Sequence, residues 1–321
     1  MHMVSREQEQ KPAEYGCEEF GRLSSVLVHT PGEELRCINE FNYRQWLFDR
    51  VPDIERFAEE HTRWCRLLEE NGVEVNQLAD HVFENRDLMR ELPNVMYLHD
   101  IAVVSSHGAI LSHMLWPARR GEEVVVAEAL ADLGIPVWID FPQADDGFEG
   151  CLLLSPETLL VAFTERHTAG SIRRFIPRAL EGFDEVIFVD IPKSRRYMHP
   201  DTIYNRVSHD LALAYLPAFE ETVLYSGGTA REIDITDFMA SKGVEVLGVS
   251  DSEQERLACT FVPLEPGVIF HYDTALDAGT AKKLERRGVD VIFFHADAMT
   301  AGGGSLRCVT LRLRRNPDAC R

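Results

Sequence analysis

The sequence predicts an α/β protein built from about five ββαβ units. Three observations carry that reading. Apolar, β-branched runs alternate with segments of helical spacing along the whole chain. The alternation returns at periods of about 50 to 65 residues. No stretch rich in Pro, Gly or Ser divides it, so residues 16–321 read as one domain behind a polar, flexible segment 1–15. A ring of such units would gather the hairpin loops around one cavity. An open sheet with helices on both faces fits the repeat equally well, and the residues alone leave both open.

The elements follow in order. LSSVLVHTPG (23–32) is an apolar strand closed by a Pro-Gly turn. Residues 48–72 have helical spacing, with Phe57, Trp64, Leu67 and Leu68 on one face and Gly72 as the stop. VEVNQLA is the next strand. Residues 95–114 read as strand, Ser-Ser-His-Gly turn, strand, followed by a helix near 121–134 and the strand PVWID. Residues 150–168 repeat the hairpin around Ser-Pro-Glu, with AGSIRRFIPRAL as helix and EVIFVDI as strand. Residues 202–219, a helix near 230–242 and VEVLGVS make a further unit. Residues 259–273, a helix at 277–288 and VDVIFFHAD make the next. LRCVTLRLRR then supplies a last strand to pair with SVLVHTPG at the start.

Bulk composition narrows the function classes. The formal net charge of -20 disfavours nucleic acid or an anionic membrane as partner. No apolar run reaches the roughly 20 residues of a membrane span, and the N-terminus has no apolar core of a signal peptide. The 7 cysteines are odd in number and show no CxxC spacing, which points away from a disulfide framework or zinc ribbon and towards a reducing cytoplasm. No phosphate-cradling glycine motif occurs. The expectation is therefore no cofactor and no metal. A homo-oligomer, with a dimer as default, is only the common case.

A few polar residues sit at the edges of the units. GGGSLRC (302–308) sets Cys308 behind three glycines; a cysteine nucleophile needs a base or cation brought in by the fold. MHPDTIYN (198–205) offers His199 and Asp201, which in an extended chain point to one side. Asp100 ends the apolar YLHD, and Glu149 opens the apolar strand of FEGCLLL. Each taken singly reads as an ordinary buried thiol, loop histidine or turn carboxylate.

Their order along the chain carries more. LPNVMYLHD resembles the arginine deiminase segment P-N-x-x-F-T-R-D, and SHMLWPARRGE resembles its N-x-M-x-x-x-A-R-x-x-E continuation. FEGCLLLSPETLLVAFTERHT is similar to E-G-G-D followed by G-x-S-E-R-T, MHPDTIYNRV to M-H-L-D-T-V-F, and GGGSLRC to the loop before the nucleophile. The chain thus resembles the guanidino-group-modifying enzymes: arginine deiminases, dimethylarginine hydrolases and amidinotransferases. The resemblance implies a five-bladed α/β propeller, the pentein fold, around a central active site. It implies Cys308 as nucleophile, His199 as general acid and base, Glu149 as its orienting carboxylate, and Asp100 and Asp201 as holders of a guanidinium. It implies a guanidino small molecule as substrate, with Asn94, Arg119 and Arg166 near an α-carboxylate. The implied reaction is hydrolysis of L-arginine or a close derivative to a ureido product. Transfer of the amidino group to an amine, or double hydrolysis to ornithine, uses the same residues. The pattern is departed from at three places: Cys151-Leu152 replace Gly-Asp, His99 replaces the arginine before the aspartate, and Pro200 sits between His199 and Asp201.

Overall fold

The computed structural model describes residues 15–18, 20–141 and 146–317. The expected flexible segment 1–15 lies, except for Tyr15, outside them. Among the described residues, seventeen strands form five sheets. In the first, β1 (Arg22–Val28) lies between β2 (Glu74–Gln77) in parallel and the last strand, β17 (Leu311–Asn316), antiparallel. The two ends of the described chain therefore share a sheet, as the sequence predicts. The second sheet joins β3 (Ala102–Ser105), β4 (Gly108–Leu111) and β5 (Val137–Ile139). The third contains β6 (Leu152–Leu153), β7 (Thr158–Phe163) and β8 (Glu185–Asp190). The fourth is β9 (Tyr204–Arg206), β10 (Leu211–Ala214) and β13 (Glu245–Gly248); the fifth is β14 (Val262–Glu265), β15 (Val268–Tyr272) and β16 (Asp290–Phe294). Each has an antiparallel pair, a hairpin in all but the first, and a parallel strand reached through a helix.

Local chemistry explains the crossovers. Helix Ile54–Glu70 starts where the Asp53 carboxylate accepts the N–H of Arg56, and buries Phe57, Trp64 and Leu68. Gly72, at φ 77°, follows its end in a conformation that disfavours other residues. Thr168 caps helix Ala169–Ala179 in the same way as Asp53, and Phe175 fills its inner face.

Three readings need correction. Residues 95–101 are not strand: the chain turns there, with a 3-10 turn at Leu98–Asp100, and β3 starts only at Ala102. The apolar run signalled burial, and burial alone does not impose extension. His199 and Asp201 are not on extended chain either. Pro200 opens a 3-10 turn, Pro200–Thr202, because its fixed φ suits a first helical position. A hairpin absent from the sequence reading, β11 (Glu221–Ser226) and β12 (Thr229–Glu232), leaves the fourth unit and pairs β11 with β8 of the third sheet. β12 is exposed throughout and β11 buries only Thr222 and Leu224, so the hairpin has little apolar alternation to announce it.

Buried side chains of neighbouring sheets pack together. Leu27 and Leu311 of the first sheet meet Ala102 and Val104 of the second. Val103 and Ile110 of the second meet Leu159 and Val161 of the third. Leu160, Leu213 and Ile269 join the third, fourth and fifth, and Phe270 of the fifth packs with Val26 of the first.

Candidate active site

Loops from several units converge, some ahead of a strand and some, with Arg119 and Arg166, between a strand and the following helix. Asn94, Asp100, Arg119, Arg166, His199 and Cys308 line one narrow cavity, together with Leu47, Tyr97, Arg195, Met198 and the three glycines 302–304. Those first six residues span 215 positions of sequence from Asn94 to Cys308.

His199 is the best-defined group. Its Nε2 lies 3.1 Å from Oε2 of Glu149, and its Nδ1 lies 3.4 Å from Oδ1 of Asp100. Glu149 is fully buried. Burial alone would raise its carboxyl, but Arg166, the His199 hydrogen bond and Arg119 hold it down to about 2. A carboxylate accepts only, so Nε2 carries the proton. Burial would likewise lower His199. The charges of Asp100 and Glu149 and the Glu149 hydrogen bond outweigh it, and its pKa lies above the ordinary value.

Cys308 follows the glycine turn and precedes β17. Its Sγ is 3.3 Å from Oγ of Ser305, and its carbonyl accepts the N–H of His99 at 3.0 Å. Burial first, then Asp100 and Asp201, push its thiol well above the usual range. The site therefore holds a thiol until a cation offsets those two acids.

The three glycines have a packing reason. A Cβ on Gly302 would stand 2.1 Å from the Tyr97 hydroxyl, and one on Gly304 would stand 2.3 Å from the Tyr97 ring. Gly303 is at φ 75°, and a Cβ there would meet the Asp49 carboxylate at 2.8 Å. Gly302→Ala is expected to displace Tyr97 or the loop, costing about 1–3 kcal/mol of stability. Thermal unfolding beside kcat/KM checks this; an unchanged melting temperature would refute it.

Asp201 lies one layer deeper. It is buried and does not line the cavity. Its Oδ2 is 3.3 Å from Nε of Arg307 and 3.7 Å from Nε2 of His99. Arg307 Nε also donates to His99 Nε2 at 3.1 Å. Burial, then Arg307, keep His99 neutral, as an acceptor nitrogen requires. A cation from the nucleophile's own turn thus abuts the histidine that departs from the family pattern.

The two arginines expected near a carboxylate are engaged with protein acids. Arg119 Nη1 donates to Asp100 at 2.8 Å, and Nη2 lies 2.9 Å from Glu122. Arg166 Nη1 lies 3.3 Å from Glu149, with its guanidinium 5.6 Å from the Trp116 ring. Asn94 donates to the carbonyl of Trp46 at 3.0 Å. Arg119→Ala strands two buried acids and is expected to destabilise the fold by about 3–5 kcal/mol. A melting temperature equal to wild type would count against this.

Sequence reasoning missed Tyr97, Arg195 and Leu47 in this cavity. Arg195 binds the carbonyls of Leu47 and Gly302 at 2.6 and 3.0 Å, and Leu47 adopts φ 63°, strained for a branched side chain. Only the basic run ahead of His199 hinted at Arg195. Among the described residues, no group of three or more His, Cys, Asp or Glu side chains could hold a metal ion, and no helix is long and apolar enough to cross a membrane.

Comparison with known proteins adds the family. The arginine deiminase family model matches residues 80–315. This chain belongs to the arginine deiminase family. Arginine deiminase of Mycoplasma capricolum is 24% identical, over 92% of this chain and 96% of its own length. That of Staphylococcus aureus strain MRSA252 is 23% identical, over 92% and 97%. The first alignment spans 393 positions against the 321 residues here, so this family member lacks segments that relative carries. Among solved structures, the N-terminal domain of ArgZ covalently bound to a reaction intermediate superposes with a TM-score of 0.68 at 19% identity, over 90% of this chain and 97% of that one. DDAH of Pseudomonas aeruginosa in complex with citrulline gives 0.67 at 16% identity, over 91% and 99%. The α/β fold of this family member is that of the pentein structures.

Proposed function

We propose that this protein hydrolyses the guanidino group of L-arginine or a close derivative, releasing ammonia and a ureido product of the citrulline type. The observation that carries the reading is one cavity lined by Cys308, His199 and Asp100, with His199 held between Asp100 and Glu149. A guanidinium entering beside Asp100 offsets the acids that keep Cys308 protonated, so the thiol gives its proton to solvent and the thiolate forms when substrate is present. Its sulfur bonds to the guanidino carbon. His199, protonated between its two carboxylates, gives a proton to the leaving amine, and ammonia departs. The amidino thioether then takes water; His199 accepts the proton and the C–S bond breaks. Asp100 and Asp201 supply the negative field for the cation, Asp201 from behind and in competition with Arg307. Asn94, Arg119 and Arg166 are proposed to border the amino-acid head of the substrate. The substrate is a small molecule, the compartment the cytoplasm and the assembly a homo-oligomer.

The same reading takes the five sheets to close as a five-bladed propeller. The cores support it, because they link each sheet to the next and the fifth back to the first.

Ammonia release from L-arginine without added amine tests the function. One ammonia per arginine supports the deiminase, and two support a dihydrolase. Ornithine release without ammonia, seen only with an amine acceptor, overturns hydrolysis in favour of amidino transfer.

A further inference from the structure

The cavity that holds Cys308 is too small for the substrate proposed above. Its volume of about 30 Å³ takes roughly two waters, whereas small-molecule sites start at about 300 Å³. A second cavity of about 450 Å³ lies against it, lined also by Asp49, Arg256 and Thr274. Arg195, Met198, Gly303 and Gly304 line both, so these four stand between the two. Arg195 fastens that wall. Its Nη2 donates to the carbonyl of Leu47 at 2.6 Å and to that of Gly302 at 3.0 Å, and lies 3.3 Å from Oδ1 of Asp49. One nitrogen therefore ties the segment ahead of helix Ile54–Glu70 to the glycine turn that delivers Cys308. A Cβ on Gly303 would stand 3.2 Å from the same nitrogen, so turn and guanidinium are in close contact. Leu47, at φ 63°, holds a strained backbone that persists only while its neighbours fix it. The other two arginines of the cavity cannot move freely, because Arg119 and Arg166 would leave buried acids unpaired. The partners of Arg195 are two carbonyls and the half-exposed Asp49, which water can serve in its place. Its contacts are the ones in this wall that can break and reform.

We infer that Arg195 is a latch and thereby a positioning residue: its release joins the two cavities to admit substrate, and its return sets the Cys308 turn over the bound guanidinium. The inference deepens the hydrolase reading above and rests on it for the kinetic half of its test. The latch joins protein to protein, so its loss shifts the free and the loaded protein alike towards the open form. In the free protein Cys308 then becomes easier to reach from solvent. In the loaded protein a smaller share of complexes has Cys308 in place to react.

The test uses the full chain as wild type, Arg195→Ala and Arg195→Lys. Peptide mass mapping follows alkylation by iodoacetamide without substrate, at Cys308 and at the fully buried Cys259, which reads unfolding. A single turnover of L-arginine with enzyme in excess reads the chemical step apart from product release. Arg195→Ala is expected to alkylate at Cys308 about tenfold faster than wild type, the worth of one hydrogen bond from a charged donor, with Cys259 unchanged. Its single-turnover rate falls. Arg195→Lys, whose ammonium keeps a donor for each carbonyl, brings both values back towards wild type. Alkylation of Cys308 at the wild-type rate in Arg195→Ala overturns the inference. So does a rise matched at Cys259, or one that lysine does not reverse, since general loosening of the fold gives either. No loss of L-arginine in the wild type brings down the hydrolase reading, and the alkylation rates still decide the latch.

Discussion

Cys308→Ala is expected to reduce ammonia release from L-arginine by about 10⁴-fold or more, since a nucleophile cannot be replaced by its neighbours. The fold should tolerate the change. Cys308 contributes its carbonyl to His99, which alanine keeps, and among the described residues its Sγ has a hydrogen bond with Ser305 alone. Substrate binding is expected to survive but weaken somewhat, because Asp100 and Asp201 still hold the cation while the thiolate that would also attract it cannot form. The assay is ammonia release alongside L-arginine binding by calorimetry. Residual turnover above about one per cent of wild type would remove Cys308 from the mechanism.

Glu149→Gln is expected to cut kcat by about 10²–10⁴-fold, the usual worth of a positioned acid–base group. It also moves the pH profile in a set direction. His199 owes its raised pKa to Asp100 and to Glu149, by hydrogen bond and by charge. Without the Glu149 charge that pKa falls, so the basic limb of kcat/KM shifts to lower pH. Stability shifts as well. The depressed pKa of Glu149 contributes stability at pH above the ordinary value of 4.5, lost as pH falls through about 2. The raised pKa of His199 contributes fully below 6.5, and that part is lost as pH rises through the folded value. Glu149→Gln therefore lowers the melting temperature most between these limits. A pH–rate profile and unfolding scans from pH 4 to 9 check both, and an unmoved basic limb would disconnect Glu149 from His199.

Much of this was legible in the residues. Apolar periodicity gives the five units, because burial on a pleat or helix face repeats with the backbone. It also gives the pairing of the last strand with the first. Its errors share one cause. Val95 to Ile101 is apolar because it is buried beneath the site, and hydrophobicity reports burial without reporting conformation. The hairpin Glu221–Glu232 is half in water and has the opposite problem.

The sequence by itself determined the repeating ββαβ order, the apolar faces that pack the sheets, and the residue types available for guanidine chemistry. These are local properties: periodicity, caps, turn residues and short motifs. Only the tertiary structure decided which of those residues meet. It set His199 between two carboxylates from other units, put Asp201 behind the cavity against Arg307, and tied Arg119 to Asp100 and Glu122. It also gave the glycines before Cys308 a neighbour in Tyr97. The physical reason is that charge and pKa depend on distances of a few ångströms between groups far apart in sequence, and a one-dimensional pattern carries no such distance.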